Sequence, residues 1–228
     1  ARAAAMTHLL SDSVNDHLTL AEGTGAERYI VPSDYLFIYR NRAHYEADNF
    51  GWDLRKEFGF NWEVLDGQSF QDYDPVFGPG LTCAARCPDH GRISDPGAYV
   101  TALAKHFETQ GGQFIRGEVT DIARENGSVS GVRVSGEFIP CDTVVIATGV
   151  WSAKLAASLA VKVPIESERG YHLELWEPNI MPKSPVMVAS GKFVVTPMDG
   201  RLRLAGVVEF GGLNAPPSKA PLELLDKT

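Results

Sequence analysis

Cysteine is scarce in this chain of 228 residues, where Cys83, Cys87 and Cys141 are the only three. An odd count without dense spacing excludes a disulfide scaffold and fits a reducing compartment, with the thiols read as small packing side chains. Cys83 and Cys87 stand four apart but lack a second Cys or His pair at ligand spacing, so no metal site is assigned. Long uncharged apolar runs are also missing, and none approaches the roughly 20 residues that a membrane-crossing helix needs. The opening residues ARAAAMTHLL carry one Arg and no apolar core, and do not read as a secretory signal. Lys and Arg never cluster, and the net charge is −8. That balance argues against nucleic acid as a partner, because phosphate neutralisation needs concentrated positive charge. No GxGxxG, P-loop, HExxH, GxSxG or CxxC pattern occurs, which removes the commonest nucleotide, zinc-protease, hydrolase and redox signatures.

What is present is an ordinary globular composition, 44% hydrophobic and 22% charged, enough for one large domain or two small ones. Met6, Leu9, Leu10, Val14 and Leu18 follow a helical period from Met6 to about Leu20, and Gly23-Thr24-Gly25 ends it. DYLFIYR (Asp34 to Arg40) reads as a strand, and Asn41 caps a predicted helix through Tyr45, Phe50, Trp52 and Leu54. A short strand at WEVLD, a helical turn from Gln68 to Tyr73 and a loop at FGPG follow. Asp95 and Pro96 then open a helix that Gly111 closes, with Tyr99, Val100, Leu103, Ala104 and Phe107 as its apolar stripe. Three alternating segments, QFIRGEVTDIARE, SVSGVRVSG and EFIPC, predict a β-meander with turns at Asn126-Gly127 and Gly136. Asn126-Gly-Ser therefore reads as a turn and not as a glycosylation site.

TVVIAT is a continuous apolar run of the kind found in strands buried on both faces, and it leads through Gly149 into a helix. A strand ending in small residues is where an α/β sheet presents a ligand, although strand-Gly-helix turns are also common without one. Tyr171, Leu173 and Leu175 then alternate with His172, Glu174 and Trp176. Three strand candidates, SPVMVAS, KFVVTPM and RLRLAGVVEF, make the last third mainly antiparallel, and a final helix starts in GGLNAPPSKAPLELLDKT.

The segments GRISDPGAYVTALAKHFETQGGQFIRGEVTDI, DTVVIATGVWSAKLA, VPIESERGYHLEL and GRLRLAGVVEF, with the leading YLFIYR, cover most of the chain. In this order they resemble the FAD-dependent D-amino-acid oxidase and dehydrogenase family. The likeness is greatest to bacterial D-amino-acid dehydrogenases, with glycine and sarcosine oxidases more distant. The resemblance implies an α/β fold of mixed α+β character: part of a Rossmann-like FAD-binding domain with an inserted β-meander, interleaved with an antiparallel-sheet substrate domain. Residues 1–92 and 161–228 would belong to the substrate domain and 93–160 to the FAD domain. It also implies an opening strand with a dinucleotide fingerprint before Ala1, and a closing segment with an Arg-Pro substrate clamp and a Gly-rich flavin contact after Thr228. The chain is accordingly read as an internal fragment, inactive by itself.

By position in the family's motifs, Val119 would meet the adenine end of FAD through its backbone. Ala147, Thr148 and Gly149 would lie along the pyrophosphate and ribityl region, with Trp151 close by. Tyr171, His172 and Phe193 are substrate-binding candidates by location, since the family's substrate lies between the flavin ring and the antiparallel sheet. His172 reads equally as a polar residue on a solvated strand face. Arg169 serves either a substrate carboxylate or an ion pair with Glu166 or Glu168, the second being favoured. His8, His17, His44, His90 and His106 lack partners at catalytic spacing and are read as surface or packing residues.

The activity implied is hydride transfer from the Cα of a D-amino acid to flavin, with a quinone, carrier protein or oxygen as electron acceptor. This chemistry needs no catalytic acid–base pair from the protein, and no catalytic residue is assigned. A non-catalytic flavoprotein-like subunit and a glycine, sarcosine or opine oxidoreductase of the same fold remain open alternatives. The expected location is cytoplasmic, with peripheral attachment to the inner membrane as a variant.

Overall fold

Apolar residues at every second position need a covered face, and the chain provides one by building a seven-stranded sheet. The computed structural model describes residues 2–226. They form two units, one gathering the residues up to Gly112, Gly170–Val208 and the stretch from Ser218 onward, the other Gln113–Arg169 and Glu209–Pro217.

In chain order the elements are α1 (Arg2–Leu10), α2 (Ser13–Ala21), β1 (Ile30–Tyr39), α3 (Arg42–Glu46), α4 (Asn49–Glu57), β2 (Glu63–Asp66), α5 (Gln68–Tyr73), β3 (Cys83–Ile93) and α6 (Pro96–Thr109). The meander β4 (Val119–Glu125), β5 (Ser128–Val134) and β6 (Glu137–Pro140) follows, then α7 (Ser152–Ser158). Strands β7 (Arg169–Trp176), β8 (Val186–Val188), β9 (Phe193–Met198) and β10 (Arg201–Glu209) precede α8 (Ala220–Asp226). Among the described residues no helix is long and apolar enough to cross a membrane.

The large sheet has the order β2-β3-β1-β8-β9-β10-β7. Its pairings are antiparallel for β2–β3, β1–β3, β8–β9 and β9–β10. Strand β8 lies parallel to β1, so the sheet is mixed. Strand β3 is not among the strands expected from the sequence, and Pro88, Asp89 and Gly91 interrupt its pattern. They mark a bulge: between Ser33–His90 and Tyr35–Cys87 the ladder advances two residues in β1 and three in β3. Asp89 takes a left-handed φ of 58° there, and Pro88, which cannot donate to a ladder, is tolerated at such a site.

One face of this sheet is closed. Leu36, Ile38, Leu65, Ala84 and Val186 pack with Phe70 of α5, and Tyr171 and Phe193 pack with Leu225 of α8. Val188 and Val195 join both clusters. On the opposite face Tyr39, Cys83, Ala85 and Cys87 are covered by Trp52 of α4. Trp52 Nε1 donates to the Tyr39 hydroxyl at 2.9 Å, which donates to Asp48 at 2.9 Å. Burial pushes the Cys83 thiol up to about 12, helped by Asp66, and the Cys87 thiol up to about 11. Both remain protonated packing groups.

Several helices differ from the expectation for local reasons. The segment from Met6 to Leu20 is two helices, broken at Ser11-Asp12, where Asp12 precedes α2 and accepts from Asn15 Nδ2 at 2.6 Å. The helix after Asn41 is likewise two, α3 and α4, with Asp48 at the break accepting from the Tyr39 hydroxyl at 2.9 Å. Asn41 does cap α3, accepting from His44 N at 2.9 Å. Asp95 caps α6, accepting from Ala98 N at 3.1 Å. The buried arc of α6 is narrower than the predicted stripe: Tyr99, Ala102 and Leu103 pack on Ala21, Ala26 and Ile30, while Val100 and Phe107 are exposed.

In the smaller unit the meander is ordered β4-β5-β6. Its hairpin turns carry two consecutive positive φ angles, 51° and 85° at Asn126-Gly127 and 50° and 95° at Ser135-Gly136, the geometry that matches strand twist. Residues 113–118 are not strand, contrary to the reading of QFIRG. The run TVVIAT is not a strand either, and Val145 is 85% exposed. A strand buried on both faces needs neighbours on each side, and among the described residues none pairs with it. Arg169 forms the ion pair favoured for it with a different partner: Nη1 lies 3.3 Å from Glu209, and Nη2 donates to Ala215 O at 2.6 Å.

One polar network on the closed face gives a stability prediction. Asp34 accepts from Arg86 Nε and the Tyr73 hydroxyl, each at 2.7 Å, and Tyr73 lies 3.0 Å from Ser184 Oγ. Burial opposes the Asp34 charge, but Arg86 and Tyr73 outweigh it and hold the carboxyl below its ordinary value. Such a group contributes stability above its unfolded pKa of about 3.9, lost as pH falls through the lower folded value. Asp34→Asn should cost about 1–3 kcal/mol at pH 7, measured by urea unfolding, and the difference from wild type should shrink as the pH is lowered toward 3.

Candidate functional site

Five of the sequence-selected residues lie in the smaller unit. Val119 starts β4 opposite Val134. Ala147, Thr148 and Gly149 are exposed, and the last opens a 3-10 turn, Gly149–Trp151, that runs into α7. Gly149 has φ +57°, and a Cβ built there would meet nothing within 4 Å. Thr148 Oγ1 lies 3.1 Å from Ser152 Oγ, and Trp151 is 66% exposed. Helix α7 packs against β4, burying Ala156 beside a strand whose own buried residue is Ile122. The unit therefore presents a small-residue loop and an exposed indole from a packed base.

In the larger unit the three substrate candidates separate. Tyr171 and Phe193 are 8% and 5% exposed and lie in the cluster under α8, and the Tyr171 hydroxyl accepts from Ser218 N at 3.0 Å. His172, one residue along β7, points to the other face, where it is exposed with Nε2 4.0 Å from Glu174. Tyr171 and His172 thus cannot line one surface. Glu174 accepts from Arg201 Nε at 3.2 Å, and Arg201 also lies 3.9 Å from Asp95 and 5.1 Å over the Trp176 ring. This network joins β7, β10 and the start of α6.

That second face, beyond the part covered by α4, is open. It carries a cavity of about 330 Å³ lined by Tyr35, Arg92, Val194, Thr196, Met198 and Arg203, among others. A second cavity of about 390 Å³ shares Tyr35 and is lined by Phe37, Arg55, Phe60 and Trp62, among others. His90 stacks on Tyr35 with ring centroids 5.8 Å apart. Burial raises the Tyr35 phenol above its ordinary value, so it stays a neutral donor. None of Tyr35, Arg92 and Arg203 was singled out beforehand. Arg203 had a signal, since Arg201 and Arg203 alternate with Leu202 and Leu204 in β10. Arg92 had none, because the bulge sets its face.

The family described as FAD dependent oxidoreductase (DAO) matches residues 1–227. Among curated proteins, a D-amino-acid oxidase of Bradyrhizobium diazoefficiens is 35% identical over 221 residues, 97% of this chain and 52% of that protein. A D-amino acid dehydrogenase of the same organism is 29% identical over 192 residues, 79% of this chain and 44% of its own length. The chain thus spans about half the length of these relatives. Among solved structures, glycine oxidase from Bacillus cereus superposes with a TM-score of 0.75 at 23% identity, over 99% of this chain and 61% of that one. L-proline dehydrogenase from P. horikoshii gives 0.75 at 19% identity, over 94% and 60%. These last two similarities concern the fold.

The separation of Tyr171 from His172 can be read in stability. Tyr171→Ala should cost about 3–5 kcal/mol as a buried aromatic truncation, whereas His172→Ala should stay within about 0.5 kcal/mol as a surface change. Denaturant unfolding of the two variants beside wild type measures both.

Proposed function

The chain belongs to the DAO family of FAD-dependent oxidoreductases, and on that premise we propose that the protein oxidatively deaminates D-amino acids. The observation that carries this reading is the 35% identity to a D-amino-acid oxidase across 97% of the chain. The D-amino acid dehydrogenase at 29% identity supports the same substrate class.

The residues of the smaller unit fit the cofactor on two counts. Open space around the left-handed Gly149 allows a ligand to approach the backbone closely. Strand β4 is an edge of the meander, so its outer backbone groups are unpaired within that sheet. In this proposal Val119 meets the adenine end through its backbone, Ala147, Thr148 and Gly149 line the pyrophosphate and ribityl chain, and Trp151 shields them. The chemistry that FAD supplies when bound is acceptance of a hydride from the substrate Cα, leaving an imino acid that water hydrolyses to a 2-oxo acid and ammonia.

The protein's own part is to bind and orient. His172 offers a polar side chain on the open face for substrate, while Tyr171 and Phe193 hold β7 and β9 in place from behind. Electron transfer to a quinone or carrier protein, as against oxygen, and a cytoplasmic location with or without attachment to the inner membrane, belong to the same proposal.

The test is the visible spectrum of the full-length protein mixed without oxygen with D- and L-amino acids, glycine, sarcosine and proline. D-Amino acids should bleach a yellow protein and their L-enantiomers should not. Bleaching by glycine, sarcosine or proline alone would move the substrate class, and a colourless protein that takes up no FAD would leave a non-catalytic scaffold. Reoxidation by air or by an added quinone identifies the acceptor.

A further inference from the structure

Two cavities on the open face meet at one side chain. Among the described residues, the cavity of about 330 Å³ and the cavity of about 390 Å³ have only Tyr35 in common. Each has its own character. Val194 and Met198 line the first, whereas Arg55, Phe60 and Trp62 line the second. Ligand cavities run from about 300 to 1,000 Å³. The first cavity therefore stands at the low end of that range by itself, and near the middle of it once joined to its neighbour.

The Tyr35 ring is held in place between them. His90 stacks on it with centroids 5.8 Å apart and planes at 28°, and Phe37 meets it at 5.2 Å and 65°, the offset and edge-on arrangements that rings favour. His90 is itself set by the bulge in β3, where its Nδ1 lies 2.8 Å from Pro88 O. The backbone under the ring is tied on both sides. Tyr35 pairs with Cys87 of β3, and on the other side Leu36 N donates to Pro185 O at 3.0 Å, where β1 meets β8. Only rotation of the side chain, away from His90 and Phe37, would move it. Among the described residues the phenol makes no hydrogen bond, so the ring and not the hydroxyl does the separating.

We propose that Tyr35 determines substrate size: its ring closes the smaller cavity against the aromatic one and restricts the protein to substrates with small and medium side chains. This rests on the reading above, that amino acids are oxidised at the open face. A side chain as large as that of phenylalanine or tryptophan needs space beyond the ring, and the stack with His90 keeps that space shut.

The experiment is steady-state oxidation of a size series, D-alanine, D-valine, D-phenylalanine and D-tryptophan, by the full-length, FAD-loaded protein. In wild type kcat/KM should fall from D-valine to D-tryptophan. Tyr35→Ala should raise the ratio of D-tryptophan to D-alanine at least about ten-fold, the scale on which pockets discriminate side chains, while Tyr35→Phe, which keeps the ring, should hold it within about two-fold. His90→Ala, which loosens the ring without removing it, should move the ratio in the same direction as Tyr35→Ala. A crystal structure of Tyr35→Ala should show the two cavities continuous. A folded Tyr35→Ala protein with the wild-type ratio would overturn the proposal, as would a wild type that prefers D-tryptophan or a Tyr35→Phe variant that behaves like Tyr35→Ala. Should Tyr35→Ala fail to fold, the wild-type series and His90→Ala decide. Activity on no D-amino acid would defeat the functional reading, whereas an active protein with an unaltered ratio defeats only the role of Tyr35.

Discussion

Strands β1 and β3 pair antiparallel from Ile30–Ile93 to Tyr39–Cys83, and the extra residue in β3 at Pro88-Asp89 is the constraint on which the open face depends. Before the bulge Cys83, Ala85 and Cys87 share a face with Tyr35, Phe37 and Tyr39. After it, the phase of alternation changes by one, and His90 and Arg92 join that same face: His90 stacks on Tyr35, and Arg92 lines a cavity with it. Without the extra residue Arg92 would share the face of Ala84 and Arg86. A local departure from regular pairing therefore turns a cation from the closed side to the open one.

The two faces do different work because their covers differ. Under α5 and α8 the sheet buries Leu36, Ile38, Phe70, Phe193 and Leu225, where burial of each large side chain contributes roughly 1.5–3 kcal/mol. The charge on that side, Asp34, is neutralised by Arg86 and hydrogen-bonded by Tyr73. On the other side Trp52 and its neighbours cover only part of the sheet. The remaining surface keeps the Tyr35 phenol with Arg92 and Arg203 along one cavity, and with Phe37, Arg55, Phe60 and Trp62 along another.

The smaller unit shows what a strand requires beyond its own residues. TVVIAT has the composition of a doubly buried strand, yet Val145 is exposed and the run pairs with nothing among the described residues. Backbone hydrogen bonds to neighbouring strands and side-chain cover on both faces create such a strand, and composition only permits it. The meander beside it forms because its partners are adjacent in sequence, joined by turns at Asn126-Gly127 and Ser135-Gly136 whose backbone angles fit the strand twist.

Features set by neighbours in sequence were legible without coordinates. The Asn41 and Asp95 caps, the Pro96 start of α6, both meander turns and the strands β7 to β10 follow from local hydrogen-bonding capacity, restricted φ angles and the period of two. The family itself was readable from the order of these segments. Tertiary structure decided what depends on residues far apart. It parted Tyr171 and Phe193 from His172 by covering one face with α8, gave Arg169 to Glu209 in place of a nearby glutamate, and brought Arg92 and Arg203 into one cavity through a bulge in β3. The physical reason is that alternation along a strand says which residues share a face, while only pairing and cover say which face is buried and where the alternation slips.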